Sequence, residues 1–309
     1  MGPGPPLIMP LWIPITLTAA LFQTWRTALQ QRLRGRLSVS TAGLVRYLYA
    51  VPVGALMLFT WCAVTGARPP MPNTGFLLGC LVGGFGQVIG TSLLIMSFGH
   101  RNFAVGTAYS KTDAMQAAIV ASLFFNEKLA PLAWVGIAVG VAGVLVLSLA
   151  GRGLRPSDLL RATVQPAALC GVGAGAGLAV AALGIRYAVV SLDNPDKILS
   201  ALFALVLTNT MQTVMQGGYM LWREPAGLVA AFTHWRSAAW VGVLSAGGSA
   251  CWFAAFALAP VALVRTLGQV EMIVTLLFSR FYLHETLKRS DVSGFALIIA
   301  GVVLVLLFH

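Results

Sequence analysis

The run "YSKTDAM", residues 109–115, sets Lys111 and Asp113 two positions apart inside a segment, 103–125, that is otherwise almost wholly apolar. Farther along, Glu271 lies about halfway through a second apolar run, 261–282. A charged side chain at the centre of a membrane helix costs roughly 2.5–3.5 kcal/mol on insertion scales. An acid kept at such a position has two uses. Burial disfavours its charged form, so it can pick up and release a proton near neutral pH; or it can stand as the counter-charge to a bound molecule. An acceptor that trades its proton for a solute in the same cavity couples the two movements. The alternative is a buried ion pair, for example Asp113 with Arg46 or Lys111 with Glu271, that fixes helix packing and nothing more. Asp113 is too short to snorkel to water. Lys111 is not its neighbour on a helix, because two residues turn through about 200°. The helical face of Asp113 carries Tyr109, Ser110 and Gln116.

A second tier of residues obeys the same logic. Arg26, Arg46 and Arg265 fall one to two turns inside apolar runs. Long side chains there either snorkel outward or turn inward, in which case the intramembrane charge is net positive and suits an anionic or zwitterionic substrate. Gln87, Asn209, Gln212, Gln216 and Gln269 can line a polar path or hydrogen-bond neighbouring helices. Trp252, Trp61 and Tyr109 can stack on a substrate or sit at the lipid interface. Cys62, Cys80, Cys170 and Cys251 all lie in apolar runs without pairing or metal-ligand spacing, which reads as small buried hydrophobes. No metal and no cofactor is expected.

The elements that must position these residues follow from composition. Of 309 residues, 58% are hydrophobic and 9% charged, against about 25% charged in soluble domains. Mean hydropathy is +0.84. Such a chain cannot cover itself with polar surface, so its partner is the lipid bilayer. The net charge of +11 does not indicate nucleic acid, because the basic residues sit at the ends of apolar runs, as topology anchors do. The start, "MGPGPPLIMPLW", lacks a basic n-region, so no cleaved signal peptide is expected. Runs of about 20 apolar residues lie near 11–31, 41–65, 75–98, 103–125, 131–150, 166–190, 197–221, 237–258, 261–282 and 290–308. The expectation is an all-α, polytopic membrane protein of ten transmembrane helices. Odd-numbered connectors carry eleven Arg and Lys residues, led by "RLRGRL", and even-numbered ones carry only Arg68 and Lys128. That bias places both termini outside the cytoplasm.

Shifting the sequence by 158 residues lays "KTDAMQAAIVASLFFNEKL" (111–129) over "QVEMIVTLLFSRFYLHETL" (269–287). Asp113 then meets Glu271, Glu127 meets Glu285, and Gly90, Gly136 and Gly143 meet Gly248, Gly294 and Gly301. Two acidic coincidences among nine acidic residues, in register with glycines, indicate a duplicated half. The division expected is 1–150 and 151–309. Five spans per half is an odd number, so the second copy enters the membrane inverted, an architecture of many secondary transporters. Glycines four apart (79/83, 86/90, 136/140, 171/175 and 173/177) allow close helix approach.

The pattern of an acid after an apolar helix, a short connector and a glycine-punctuated helix occurs twice, as "NEKLAPLAWVGIAVGVAGVLVL" and "HETLKRSDVSGFALIIAGVVLVL". It resembles the EamA-type transporters of the drug/metabolite transporter superfamily, over nearly the whole chain as two tandem domains. The resemblance implies a ten-helix bundle with a central cavity that moves small metabolites, often outward, and it matches Glu127 and Glu285 to the family's helix-end glutamate. It also implies cytoplasmic termini, against the charge count, and often a proline after the second midplane acid, where this chain has Met272. A proton-coupled secondary transporter in the bacterial inner membrane, able to act as a monomer, is the leading expectation. A flippase for a lipid-linked headgroup shares the fold. An intramembrane enzyme acting on lipid finds no support in motifs: H-E-x-x-H and G-x-S-x-G are absent, as is a nucleotide-binding G-x-x-x-x-G-K-[ST] loop.

Overall fold

The computed structural model describes residues 9–33, 37–97, 109–124, 129–149, 166–274 and 289–308, and these residues contain helices and no strand. The helices are α1 (Trp12–Leu33), α2 (Val39–Leu48), α3 (Ala50–Thr65), α4 (Thr74–Ser97), α5 (Asp113–Phe124), α6 (Pro131–Leu149), α7 (Pro166–Ser191), α8 (Lys197–Arg223), α9 (Pro225–Thr233), α10 (Trp235–Leu258), α11 (Val261–Gly268) and α12 (Arg289–Leu307). Glu127 and Glu285 lie outside the described residues.

Five stretches are long and apolar enough to cross a membrane: Val39–Thr65, Thr74–Ser97, Leu169–Ser191, Lys197–Arg223 and Trp235–Leu258. Three further apolar helices are shorter over the described residues. The chain is therefore a multi-pass integral membrane protein; five clear spans lie among the described residues, against ten expected from sequence over the whole chain. The local signals are ordinary ones. Ser38 and Asp196 cap α2 and α8 through their side chains, accepting from Thr41 N (3.1 Å) and Leu199 N (2.9 Å). Proline opens α6, α7 and α9, where its missing N–H costs nothing. Gly66 ends α3 in the left-handed region at φ 69°.

Two departures from the expected spans matter most. The run 103–125 is not one helix: residues 111–112 form a turn and α5 begins at Asp113. Thr112 N bonds Tyr109 O, three residues back, at 3.2 Å. The run 261–282 breaks likewise at Gln269, whose N–H bonds Thr266 O at 3.1 Å, before helix resumes at 270–274. The two breaks fall at equivalent positions under the 158-residue shift. Asp113 and Glu271 sit just past them.

Packing is mostly between sequence-distant helices. α1 packs on α10, as α7 does on α4; α6 packs on α12; α8 packs on α2 and α3; α5 packs on both α7 and α11. Two of these seams run on glycine. A Cβ on Gly177 of α7 would lie 2.7 Å from the Gly90 backbone of α4, and one on Gly184 2.7 Å from Gly83 N. Between α6 and α12, a Cβ on Gly301 would lie 2.5 Å from Gly140 N. Backbones this close gain dispersion contacts that bulkier residues would forbid.

Candidate substrate site

Four cations and two acids converge around the two helix breaks. Asp113 occupies the first turn of α5, where a helix N-terminus favours negative charge, and Arg265 occupies the last turn of α11, where a C-terminus favours positive charge. They pair with Arg265 Nη1 3.1 Å from Asp113 Oδ2. Arg265 Nη2 also donates to Leu178 O of α7 at 3.2 Å, and the guanidinium lies over the rings of Trp252 and Phe256, 5.1 and 5.3 Å from their centroids. Those rings stack on each other at 5.8 Å. Carboxylate, carbonyl and two aromatic faces thus hold one guanidinium.

The second acid has its own partners. Lys111 Nζ lies 2.7 Å from Glu271 Oε2, and Gln23 Nε2 of α1 donates to the same oxygen at 2.6 Å. Trp252 Nε1 donates to Gln23 Oε1 at 3.0 Å, which fixes the amide so that its NH2 faces the acid. Of the two ion pairs considered from sequence, Lys111–Glu271 is present. The partner of Asp113 is Arg265 in place of Arg46. Each pair joins a cation of one half of the chain to an acid of the other.

Arg26 on α1 and Arg46 on α2 complete the set. They are 7% and 6% exposed, so they are buried and do not snorkel. Arg26 lies within electrostatic range of Arg46 and Glu271, and Arg46 within range of Arg265. Arg46 Nη1 donates to Thr91 Oγ1 at 3.1 Å, and its guanidinium lies 5.4 Å from the Tyr47 ring centroid. Tyr47 Oη lies 3.3 Å from the same Thr91 hydroxyl. Among the described residues the site sets four cations against two carboxylates, an excess of two positive charges. The Lys111 side chain keeps 17% of its surface accessible and that of Glu271 10%, so this pair is the least enclosed part of the cluster.

The remaining candidates divide by environment. Tyr109 is buried beside the α5 break. Gln116 turns away from Asp113: its Nε2 donates to Thr112 Oγ1 (2.8 Å) and Val172 O (3.3 Å). Gln212 bridges to Gln87 Oε1 (2.8 Å) and Gly84 O (3.1 Å), and Gln216 donates to Ser40 O (2.8 Å), all helix-to-helix contacts. Trp61 donates to the capping carboxylate of Asp196 at 2.8 Å. Gln269 is 2% exposed and lies against Gly140, and neither of its amide atoms has a partner among the described residues; Asn209 is buried with Nδ2 in the same condition. Gln23, Tyr47 and Thr91 are site residues that sequence reasoning missed. Single polar residues in apolar helices, they carry no spacing signal.

The EamA-like transporter family model matches residues 10–149, and the model for the magnesium transporter NIPA family matches residues 213–309. No curated protein sequence matches the chain. A solved crystal structure shares the fold with a TM-score of 0.69 at 15% identity, covering 96% of this chain and 99% of that one. Both matching families are transporters of one superfamily, and between them they take in most of the spans described above. The two matched segments together place the chain among the membrane transporters of the drug/metabolite transporter superfamily, EamA-like over its first half and NIPA-like over its last third.

Proposed function

We propose that the chain is a secondary transporter whose small, negatively charged or zwitterionic substrate binds between two inverted five-helix repeats, 1–150 and 151–309. The observation that carries this reading is the pair of crossed ion bridges, Lys111–Glu271 and Arg265–Asp113, at equivalent helix breaks. Broken helices at the meeting of two halves are where transporters of inverted-repeat design hold substrate. The helix bounds support the repeat: Val39–Thr65 and Pro131–Leu149 become Lys197–Arg223 and Arg289–Leu307 under the same 158-residue shift. So does the packing, in which the first helix of each half rests on the third spanning segment of the other.

Asp113 and Glu271 serve as proton sites through their partners. Each acid is bonded to one cation of the positively charged cluster, so gaining or losing a proton there changes the charge that the substrate's negative group meets. We assign the outward direction on the family resemblance. An inside-negative potential drives net negative cargo the same way, by about 2.3 kcal/mol per charge per 100 mV.

The name of the family matched by the second half raises Mg2+ as cargo. An excess of two positive charges and two acids already bonded to cations oppose it, because Mg2+ is held by carboxylate and water oxygens in octahedral array.

The test is proton movement in liposomes holding the purified chain, with a pH-sensitive dye trapped inside. Organic anions, amino acids and Mg2+ are added separately. Flux evoked by an organic anion or amino acid, and absent in Asp113→Asn/Glu271→Gln, is the expected result. Undiminished flux in that double variant overturns the role given to the acids, and transport of Mg2+ alone overturns the substrate class.

A further inference from the structure

We propose that Arg26 and Arg46 form an anion-recognition site, and that the substrate it takes is a doubly charged organic anion, a dicarboxylate or a phosphate monoester. The inference rests on the transport reading and narrows its substrate class.

The two arginines differ from the other two cations of the site. Lys111 and Arg265 each bond a carboxylate. Arg46 has a hydroxyl and an aromatic ring, and Arg26 Nε is buried with no hydrogen-bond partner among the described residues. A buried guanidinium with no carboxylate bonded to it is costly, and here two lie within electrostatic range of each other with like charge, Glu271 being in range of Arg26 but bonded elsewhere. The acids nearby do not resolve this. Asp113 is held by Arg265, and Glu271 Oε2 by both Lys111 and Gln23. What would resolve it is a ligand of charge near −2, which brings the six-charge cluster to neutrality. A zwitterion leaves both positive charges uncompensated and a monoanion leaves one.

Geometry narrows the choice in the same direction. Guanidinium is a planar fork that meets carboxylate or phosphate oxygens two at a time, and it stays charged at any physiological pH. Two forks within electrostatic range of each other, one of them with the hydroxyls of Thr91 and Tyr47 beside it, would offer several donors to one compact anion.

The experiment is ligand binding to the full chain in detergent, read by titration and by the shift in melting temperature. Succinate and glycerol 3-phosphate are the dianions, lactate the monoanion and alanine the zwitterion. At least one dianion is expected to bind more tightly than lactate and alanine, and which one does so separates carboxylate from phosphate chemistry. Arg26→Gln and Arg46→Gln should each weaken that binding at least about tenfold. Arg26→Lys should weaken it less, keeping the charge and losing the fork. Arg223→Gln, exposed at the end of α8, should bind as the parent does. Without ligand, Arg26→Gln should melt no lower than the parent, since it removes an uncompensated charge; a lower melting temperature with unaltered binding would assign Arg26 to packing and overturn the proposal. Equal binding of all four solutes, or dianion binding indifferent to both arginines, overturns it as well. Transport of alanine without dianion binding would leave the transporter standing and remove the anion site. Dianion binding without flux would do the reverse.

Discussion

Arg265 meets four partners at the site, and its environment sets a clear energetic expectation. It neutralises Asp113, caps the Leu178 carbonyl and covers two rings. Removing one member of a buried pair strands the other, at a cost of about 3–5 kcal/mol, while removing both is far cheaper. Arg265→Gln should therefore melt well below the parent in detergent, and Asp113→Asn/Arg265→Gln should regain most of the loss. Additive losses in that cycle would mean the pair is not a unit. The residue types at this site were readable from sequence, but their partners were not. Asp113, Glu271, Lys111 and the three arginines stand out because charge is rare in these runs. Whether an arginine snorkels or turns inward depends on the helix it faces, which no spacing reveals. Gln23 gave no hint, because its equivalent in the second half is Ala181.

Among elements, the glycine seam between α4 and α7 and the two helix breaks carry the most consequence. Gly177→Leu should lower the melting temperature sharply and impair insertion or folding, because its side chain would have to occupy the Gly90 backbone. Gly218→Ala on α8, where a Cβ meets nothing within 4 Å, should be neutral or stabilising by up to about 1 kcal/mol. Parallel melting curves decide it, and equal losses at both positions would refute the close-packing role. The spans themselves were legible, since apolar runs located α2 through α4, α7, α8 and α10 within a few residues. The breaks were not. A polar cluster such as "YSKTD" fits a continuous helix or a turn equally well by hydropathy, and only the three-residue hydrogen bonds of the folded chain distinguish them.

For the whole molecule, the distribution of basic residues predicts that a tag after His309 is reached by membrane-impermeant label in intact cells. Labelling only after permeabilisation would favour the cytoplasmic termini of the family pattern, and would reverse which mouth of the site faces the cell. The duplication was the most informative feature of the sequence, because one shift aligned two acids and several glycines at once. The crossing of ion pairs between halves was hidden, since it depends on how the halves interleave.

The segments that the 158-residue shift superposes differ, among other places, at Tyr49. α2 and α3 are separated at Tyr49, whose hydroxyl donates to Ala231 O, whereas the equivalent Leu207 lies inside the unbroken α8. A transporter made of two identical inverted halves would be degenerate: its inward-open and outward-open forms would be related by a two-fold axis in the membrane plane and equal in energy, each occupied half the time. In the proposed transport cycle an unequal joint such as the turn at Tyr49 would lift that degeneracy. The empty protein would then favour one mouth, and a resting bias of about 1.4 kcal/mol is tenfold in population. The direction in which the machine idles would thereby be written into a span that a turn interrupts in one half and that runs uninterrupted in the other.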